Sequence, residues 1–297
     1  MTAELAPAAD ECLRWRHGRL HGWRHVHEGG FNRHDYLVGP VAYTEARTFT
    51  TERHYSASWP SVRLRYGLWH MATRHGLPEL VGVAALSVPP RKEVLTNVFP
   101  GLQAYYQTLE LGRFLMDISV PGNGESFFLG EMLRLAALDG IRGLVSFADP
   151  MPRYTAAGRL IFPGHRGTSY QAGNAIYTGR ATAGNITLLP DATVLSRRTA
   201  QKIRRGEPGW RAAEQLLVAS GATPRQPGEN RAAWLAAACG QVGRVVKHPG
   251  NHRYLFLAGT KAQKRRIRVT ADRESYPKDP WYAEIRAAVT PDTAAGA

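Results

Sequence analysis

The chain has 297 residues, enough to bury one large core or two small ones. It contains no run of the roughly 18 to 20 uninterrupted apolar residues that a membrane span needs, and its two cysteines, Cys12 and Cys239, make neither a disulfide framework nor a zinc site by themselves. Glu4, Asp10 and Glu11 stand where a signal peptide would be basic and then apolar, so the sequence reads as a soluble protein of a reducing compartment. The net charge of +14 is uneven: residues 191–297 hold 19 of the 38 Lys+Arg against 9 of the 24 Asp+Glu, a net of +10, and residues 1–190 keep only +4. A segment that basic suits a polyanionic partner. Arginine outnumbers lysine 32 to 6, as GC-rich coding would also produce, but coding bias does not explain the shortage of acids beside it.

Residues 1 to about 45 mix Trp, His, Arg and Gly without a period and predict no element. Leu64–Met71 and Leu80–Val88, joined around His75-Gly76, read as a β-hairpin. Val94–Gln107 has a weak helical period broken by Pro100, and Thr108–Val120 reads as a strand. Pro121–Ser126 breaks that strand. Phe127–Leu138 then carries apolar residues at helical spacing, with Glu125 or Ser126 as N-cap and Gly140 as the stop. Ile141–Ala148 is the next strand, so this strand–loop–helix–strand run predicts a crossover between parallel neighbours. A short helix at Thr168–Asn174 and short strands at Ala175–Ala181 and Ile186–Leu189 follow. Helices are predicted at Gly209–Ser220 and Asn230–Gln241, and a last strand at His252–Ala258.

Several residue patterns carry chemistry. Gly122, Asn123, Gly124 and Ser126 lie before a helix, where free backbone N–H groups and the helix dipole both favour an anion. Glu125 sits among them as an acid, and any strand-to-helix turn wants glycine and a cap, so a purely structural turn stays open. Val145-Ser146-Phe147-Ala148-Asp149-Pro150 is an apolar strand stopped by Pro150, with the Asp149 carboxylate at its C-terminal end, where open α/β sheets place chemistry. Asp149 is a candidate acceptor for a proton or hydrogen bond, and Asp-Pro is equally a common turn. Gly164–Asn174 is a glycine-flanked basic turn opening a helix with Tyr170. That phenol suits protonation of a leaving group, or packing under a loop. His165 is a candidate base or ligand, although the eleven histidines show no metal spacing. Arg197, Arg198, Lys202, Arg204 and Arg205 form one basic cluster, and Lys264, Arg265 and Arg266 lie in a second. Each could neutralise several phosphates or remain a solvated face.

Four of these blocks, in order, resemble the Mom-type DNA modification proteins of phage Mu, divergent members of the GNAT acyltransferase superfamily. They are His54-Tyr55-Ser56 with the Leu-Val-Gly-Val return at Leu80–Val83; Leu109–Phe114 with Asn123–Leu129; Val145–Pro150 with Gly164–Asn174; and His252–Phe256. The resemblance spans roughly residues 50 to 260. It implies a GNAT-like mixed central sheet flanked by helices, an α/β (α+β) fold. A basic helical insertion at about 197–246 precedes the last strand of a domain at 1–260, and 261–297 is a basic, largely disordered tail. It also implies a transferase that modifies adenine N6 in double-stranded DNA with a carbamoylmethyl (acetamido) type group, protecting the DNA from restriction. His54, Tyr55, Asp149, Tyr170 and Ser126 would be catalytic. Gly122, Asn123, Gly124 and Ser126 would hold acetyl-CoA or another acyl donor, with the donor's identity and any metal ion left open. The two basic clusters would contact DNA. The cytoplasm, of the host if the gene is phage-encoded, would be the compartment, and a homodimer stays open. Two rival readings remain: an ordinary GNAT N-acyltransferase acting on a small amine or a protein, and a non-catalytic DNA-binding protein.

Overall fold

The computed structural model describes residues 11–17, 20–25, 31–54, 56–71 and 76–277. In chain order the strands and helices are β1 (Glu11–His17), β2 (Leu20–His25), β3 (Tyr36–Pro40), α1 (Tyr43–Arg53), β4 (Val62–His70), β5 (Glu79–Ser87), α2 (Glu93–Thr96) and β6 (Thr108–Met116). These are followed by α3 (Gly124–Leu138), β7 (Gly143–Ala148), β8 (Arg153–Tyr154), β9 (Leu160–Phe162), α4 (Thr168–Ala172), β10 (Ile176–Arg180) and β11 (Gly184–Leu188). The remainder comprises β12 (Val194–Leu195), α5 (Arg197–Arg205), α6 (Trp210–Ala219), α7 (Arg231–Val242), β13 (Arg244–His248), β14 (His252–Leu257) and α8 (Lys261–Arg265). The chain divides into two compact units. The first contains Met1–Ala148, Arg166–Gly179 and His252–Ala297; the second contains Asp149–His165 and Arg180–Asn251. The basic insertion expected at 197–246 is therefore part of a larger second unit.

The first unit is built on a seven-stranded mixed sheet in the order β10-β14-β7-β6-β5-β4-β3. β3/β4, β4/β5, β5/β6 and β14/β7 are antiparallel, while β6 and β7, joined through α3, are parallel as the crossover predicts. β14 pairs back into this sheet beside β7. Strand alternation sorts side chains to two faces. Leu144, Tyr254 and Phe256 join the core under α3, whose Phe128, Leu129, Met132 and Ala136 form one helical stripe. Val145 and Leu255 join Leu95, Val98 and Phe99 in another cluster. Ala46 and Phe49 of α1 pack with Val83 and Leu115 in a third.

Three expectations change. Residues 261–277 are folded against the sheet, not a disordered tail: Ile267, Val269 and Ala271 pack on the Leu95 cluster, and the Glu274 N–H donates to Tyr177 O at 2.9 Å. Residues 278–297 lie outside the described residues. Helix α3 begins at Gly124, capped by Asn123 in a left-handed conformation (φ +72) with no side-chain capping bond, so neither Glu125 nor Ser126 is the cap. Helix α5 was not anticipated as an element; Ser196 caps it by accepting from Thr199 N at 2.9 Å, and it buries Ala200 and Ile203.

In the second unit, β12-β11-β13 form a small sheet and β8/β9 a short ribbon. Its core joins Leu189 and Leu195 to Ile203, Leu217, Trp234, Leu235 and Ala238 from α5, α6 and α7.

Phe128→Ala should cost about 3–5 kcal/mol in denaturant unfolding, because the ring is fully buried and stacks on Phe114 at 5.2 Å. Leu138→Ala on the same helix should stay within about 0.5 kcal/mol, its side chain being 75 % exposed. Equal losses at both positions would contradict the assigned face of α3.

Candidate active site

The parallel ladder between β6 and β7 covers only Thr108–Glu110 against Gly143–Val145, although β6 continues to Met116 and β7 to Ala148. Where the ladder stops, the Ser146 hydroxyl donates to Leu111 O at 3.1 Å, so a side chain replaces the backbone link. On the opposite edge of β6 the register with β5 slips between Ala85 and Leu86, leaving Gly112 as the extra residue of a bulge. A bulge of this kind re-aims the side chains beside it. Glu110 stands half-buried at the opening, and burial pushes its carboxyl above the ordinary carboxylate value while Arg113 opposes the rise.

Tyr170 of α4 is 8 % exposed, edge-on to Tyr254 and Phe256 with ring centroids 5.6 Å away in each case. Gly167 makes that packing feasible: at φ +73, a Cβ would sit 2.8 Å from the Tyr254 ring and 2.9 Å from the Tyr170 ring. The turn is latched by the Tyr254 hydroxyl donating to Arg166 O and by Gln171 Nε2 donating to Tyr254 Oη at 3.0 Å. Burial raises the Tyr170 phenol above its usual value; a hydrogen bond with Ser146 and the charge of Arg113 pull it down, and Glu110 pushes it up. Glu110, Arg113, Ser146 and Tyr170 are thus one coupled group at the opening of the ladder.

His54 connects to the same group. Its Nδ1 lies 2.8 Å from Ser56 Oγ, which lies 3.0 Å from Ser58 Oγ; Arg113 donates to Ser58 Oγ at 2.7 Å and to Ser58 O at 3.0 Å. Ala57 within this loop has φ +44, a strained value for a residue with a side chain. Tyr55 lies outside the described residues. Gly122 lies in the turn before α3 and Asn123 caps the helix, while Gly124 and Ser126, expected in the loop, already belong to its first turn. A Cβ on Gly124 would collide with Val120 Cγ1 and approach Phe31 to 3.4 Å, so packing alone demands this glycine.

Asp149, next in the chain after β7, belongs to the second unit and Tyr170 to the first, so each works among its own neighbours. Asp149 Oδ1 accepts from Met151 N at 2.9 Å and from His248 Nε2 at 3.0 Å, and Oδ2 is bound by Arg153. Burial pushes this carboxyl up, but Arg153, the Met151 N–H and His248 outweigh it and hold it below the usual value. Gly250 N–H donates to His248 Nδ1 at 3.0 Å, which leaves Nε2 as the proton-bearing nitrogen toward Asp149. An ionised, saturated carboxylate suits charge and hydrogen bonding better than proton uptake. His165, also in this unit, is pushed down to about 4 by burial, against the pull of Asp149 and with the repulsion of Arg153, and is neutral at physiological pH. Among the described residues no three His, Cys, Asp or Glu side chains are placed to hold a metal ion.

Arg197, Arg198, Lys202, Arg204 and Arg205 all lie on α5 of the second unit. Lys264 and Arg265 lie on α8 of the first unit and Arg266 is its C-cap. Glu110, Arg113, Arg153 and His248 are the residues that motif reading did not single out. Glu110 and Arg113 stood in a matching block, Leu109–Phe114, and that was the available signal; Arg153 and His248 had none.

A family model described as the Mom protein family matches residues 35–278. Among solved structures, the chain is similar to one assigned as a phosphinothricin N-acetyltransferase, with 15% identity, TM-score 0.28, and 51% of this chain and 86% of that chain covered. It is similar also to a tandem GNAT protein from the clavulanic acid biosynthesis pathway, without AcCoA, with 10% identity, TM-score 0.35, and 75% and 91% covered. No curated protein matches the chain.

Because the folded-state carboxyl of Asp149 lies below its unfolded value, its contribution is complete above the unfolded value and is lost as pH falls through the folded one. Wild type should therefore be more stable than Asp149→Asn near neutrality. Thermal unfolding across pH should show that gap closing below pH ~4. A gap independent of pH would show that Asp149 does not act through its charge.

Proposed function

The chain belongs to the Mom protein family, and from that premise we propose that it modifies the exocyclic N6 of adenine in double-stranded DNA with an acetamido-type group, protecting the DNA from restriction. The observation that carries this reading is the coupling of Glu110, Arg113, Ser146 and Tyr170 where the β6/β7 ladder opens.

The N6 lone pair is delocalised into the purine ring, so the site must take the amine's proton as its bond to carbon forms. Glu110 is the group for that task, since a carboxylate raised by burial is a stronger base than an exposed one. Arg113, anchored on Ser58, fixes the charge beside it and ties His54 to the site as a positioning residue. Tyr170, its phenol raised by burial, stays protonated at working pH and donates a hydrogen bond to the leaving group. Asp149 keeps the second unit's Arg153–His248 network in place.

An acyl donor such as acetyl-CoA would supply an activated carbonyl carbon and release its thiolate, leaving an acetyl group on N6. A carbamoylmethyl group, joined to N6 through its methylene carbon, would require a donor activated at that carbon. Gly122, Asn123, Gly124 and Ser126 would hold its phosphates, which fits an α3 N-terminus that no side chain caps. Ser126 would also orient the substrate. In the duplex the amine is buried, so the adenine must be flipped out of the stack. Arg197, Arg198, Lys202, Arg204 and Arg205, with Lys264, Arg265 and Arg266, would take the backbone phosphates. No helix among the described residues is long and apolar enough to cross a membrane, and we place the reaction in the cytoplasm, where DNA is available.

Nucleoside mass spectrometry of DNA from cells expressing the chain should reveal a deoxyadenosine with added mass on N6. Tyr170→Phe should lower its yield at least tenfold while the protein remains folded. Unmodified DNA together with acetyl-CoA turnover on small amines would instead make this an ordinary N-acyltransferase.

A further inference from the structure

The helical part of the second unit holds a tryptophan that its core does not use. Trp210 opens α6 and is half-buried, yet the core around Ile203, Leu217, Trp234 and Leu235 is closed without it. Its ring is surrounded by cations instead: the guanidinium carbons of Arg231, Arg211 and Arg225 lie 4.4, 4.7 and 5.4 Å from the centroid. Guanidinium groups favour a ring face and keep their N–H donors in their own plane, available to an anion.

The three arginines differ in how those donors are spent. Arg225 is used internally, donating to Glu214 Oε1 at 2.7 Å and to Glu229 O at 3.1 Å. Arg211 and Arg231 have no hydrogen-bond or carboxylate partner among the described residues, and Arg231 Nε is buried without an acceptor. Counter-charge is short here: residues 197–231 hold eight Lys+Arg against Glu207, Glu214 and Glu229. Arg198 and Arg205 lie 2.5 and 4.0 Å from Glu207, Arg225 lies 2.7 Å from Glu214, and Glu229 accepts from Gln226 N at 2.9 Å. Among the described residues none of these three carboxylates is left for Arg211 or Arg231.

We propose that Trp210, Arg211 and Arg231 form a docking surface for the backbone phosphates of duplex DNA, with the indole as a rigid platform that holds both guanidiniums ready. The proposal rests on DNA being the substrate and adds a contact surface beyond the α5 arginines. Duplex is favoured over single strands because arginines already pack around the ring, leaving no aromatic platform for unstacked bases.

The test is a titration of the full-length protein with duplex DNA across a salt series, comparing wild type with Arg211→Gln, Arg231→Gln and the double variant. Log affinity against log salt should lose about 0.9 of slope per phosphate contact removed, hence roughly two units for the double variant, equally on unrelated sequences. Arg91→Gln, a 79 % exposed arginine of the first unit, should leave the slope unchanged. Arg211 is exposed and lies over the ring, so Arg211→Gln keeps the fold and reads the effect even if Arg231→Gln unfolds the helices. Wild-type slopes in Arg211→Gln and the double variant would overturn this surface while leaving DNA as substrate. Tighter binding of single-stranded RNA than of duplex DNA would overturn the choice of partner. A wild type that binds no duplex would sink both this surface and the proposed substrate.

Discussion

The early end of the β6/β7 ladder is the constraint on which the first unit depends. Two strands at the centre of a seven-stranded sheet share backbone bonds only as far as Glu110 and Val145, and then carry on without that link. Backbone groups released inside a sheet must find other partners, and Ser146 supplies one by donating to Leu111 O. The sheet tolerates the opening because its flanks hold: β5 stays paired with β6 as far as Met116, and β14 with β7 as far as Ala148. The fully buried Leu109 and Leu144 close the core beneath the paired end. Beside the opening stand a half-buried carboxylate, Glu110, and a buried phenol, Tyr170.

Two carboxylates in this chain are driven in opposite directions by their surroundings. Glu110 has burial with one opposing cation and is raised; Asp149 has burial outweighed by Arg153, a backbone N–H and His248, and is lowered. Each carboxylate is set by its own unit's neighbours, Glu110 toward holding a proton and Asp149 toward remaining a fixed charge. Asp149 thus resembles the keystone of a local network more than a base. Its chain position directly after β7 follows from the strand stop that Pro150 enforces.

Much of the first unit was legible in the sequence because its signals are local. Apolar, β-rich runs marked β4, β5 and β7, the glycine break before Phe127 marked α3, and the His54-Tyr55-Ser56 and Gly164–Asn174 motifs marked residues that carry real networks. Glu110 was harder to see: in Leu109-Glu110-Leu111 a lone acid reads as the solvent side of an alternating strand. Only the shortened ladder and the bulge at Gly112 turn it toward chemistry. His248 meets Asp149 across 99 positions of chain, a separation no spacing rule reaches. α5 was masked by its charge, since only Ala200 and Ile203 carry its apolar period. Trp210 reads as a core tryptophan until its arginine neighbours are seen.

The central claim is that the proton leaves the substrate amine for Glu110. Glu110→Gln keeps the side chain's size and removes only its basicity. Nucleoside mass spectrometry of DNA from cells producing this variant at wild-type folded levels, set beside Asp149→Asn, decides the matter. The account predicts that modified adenine disappears with Glu110→Gln and persists in part with Asp149→Asn. Full modification by Glu110→Gln would contradict it.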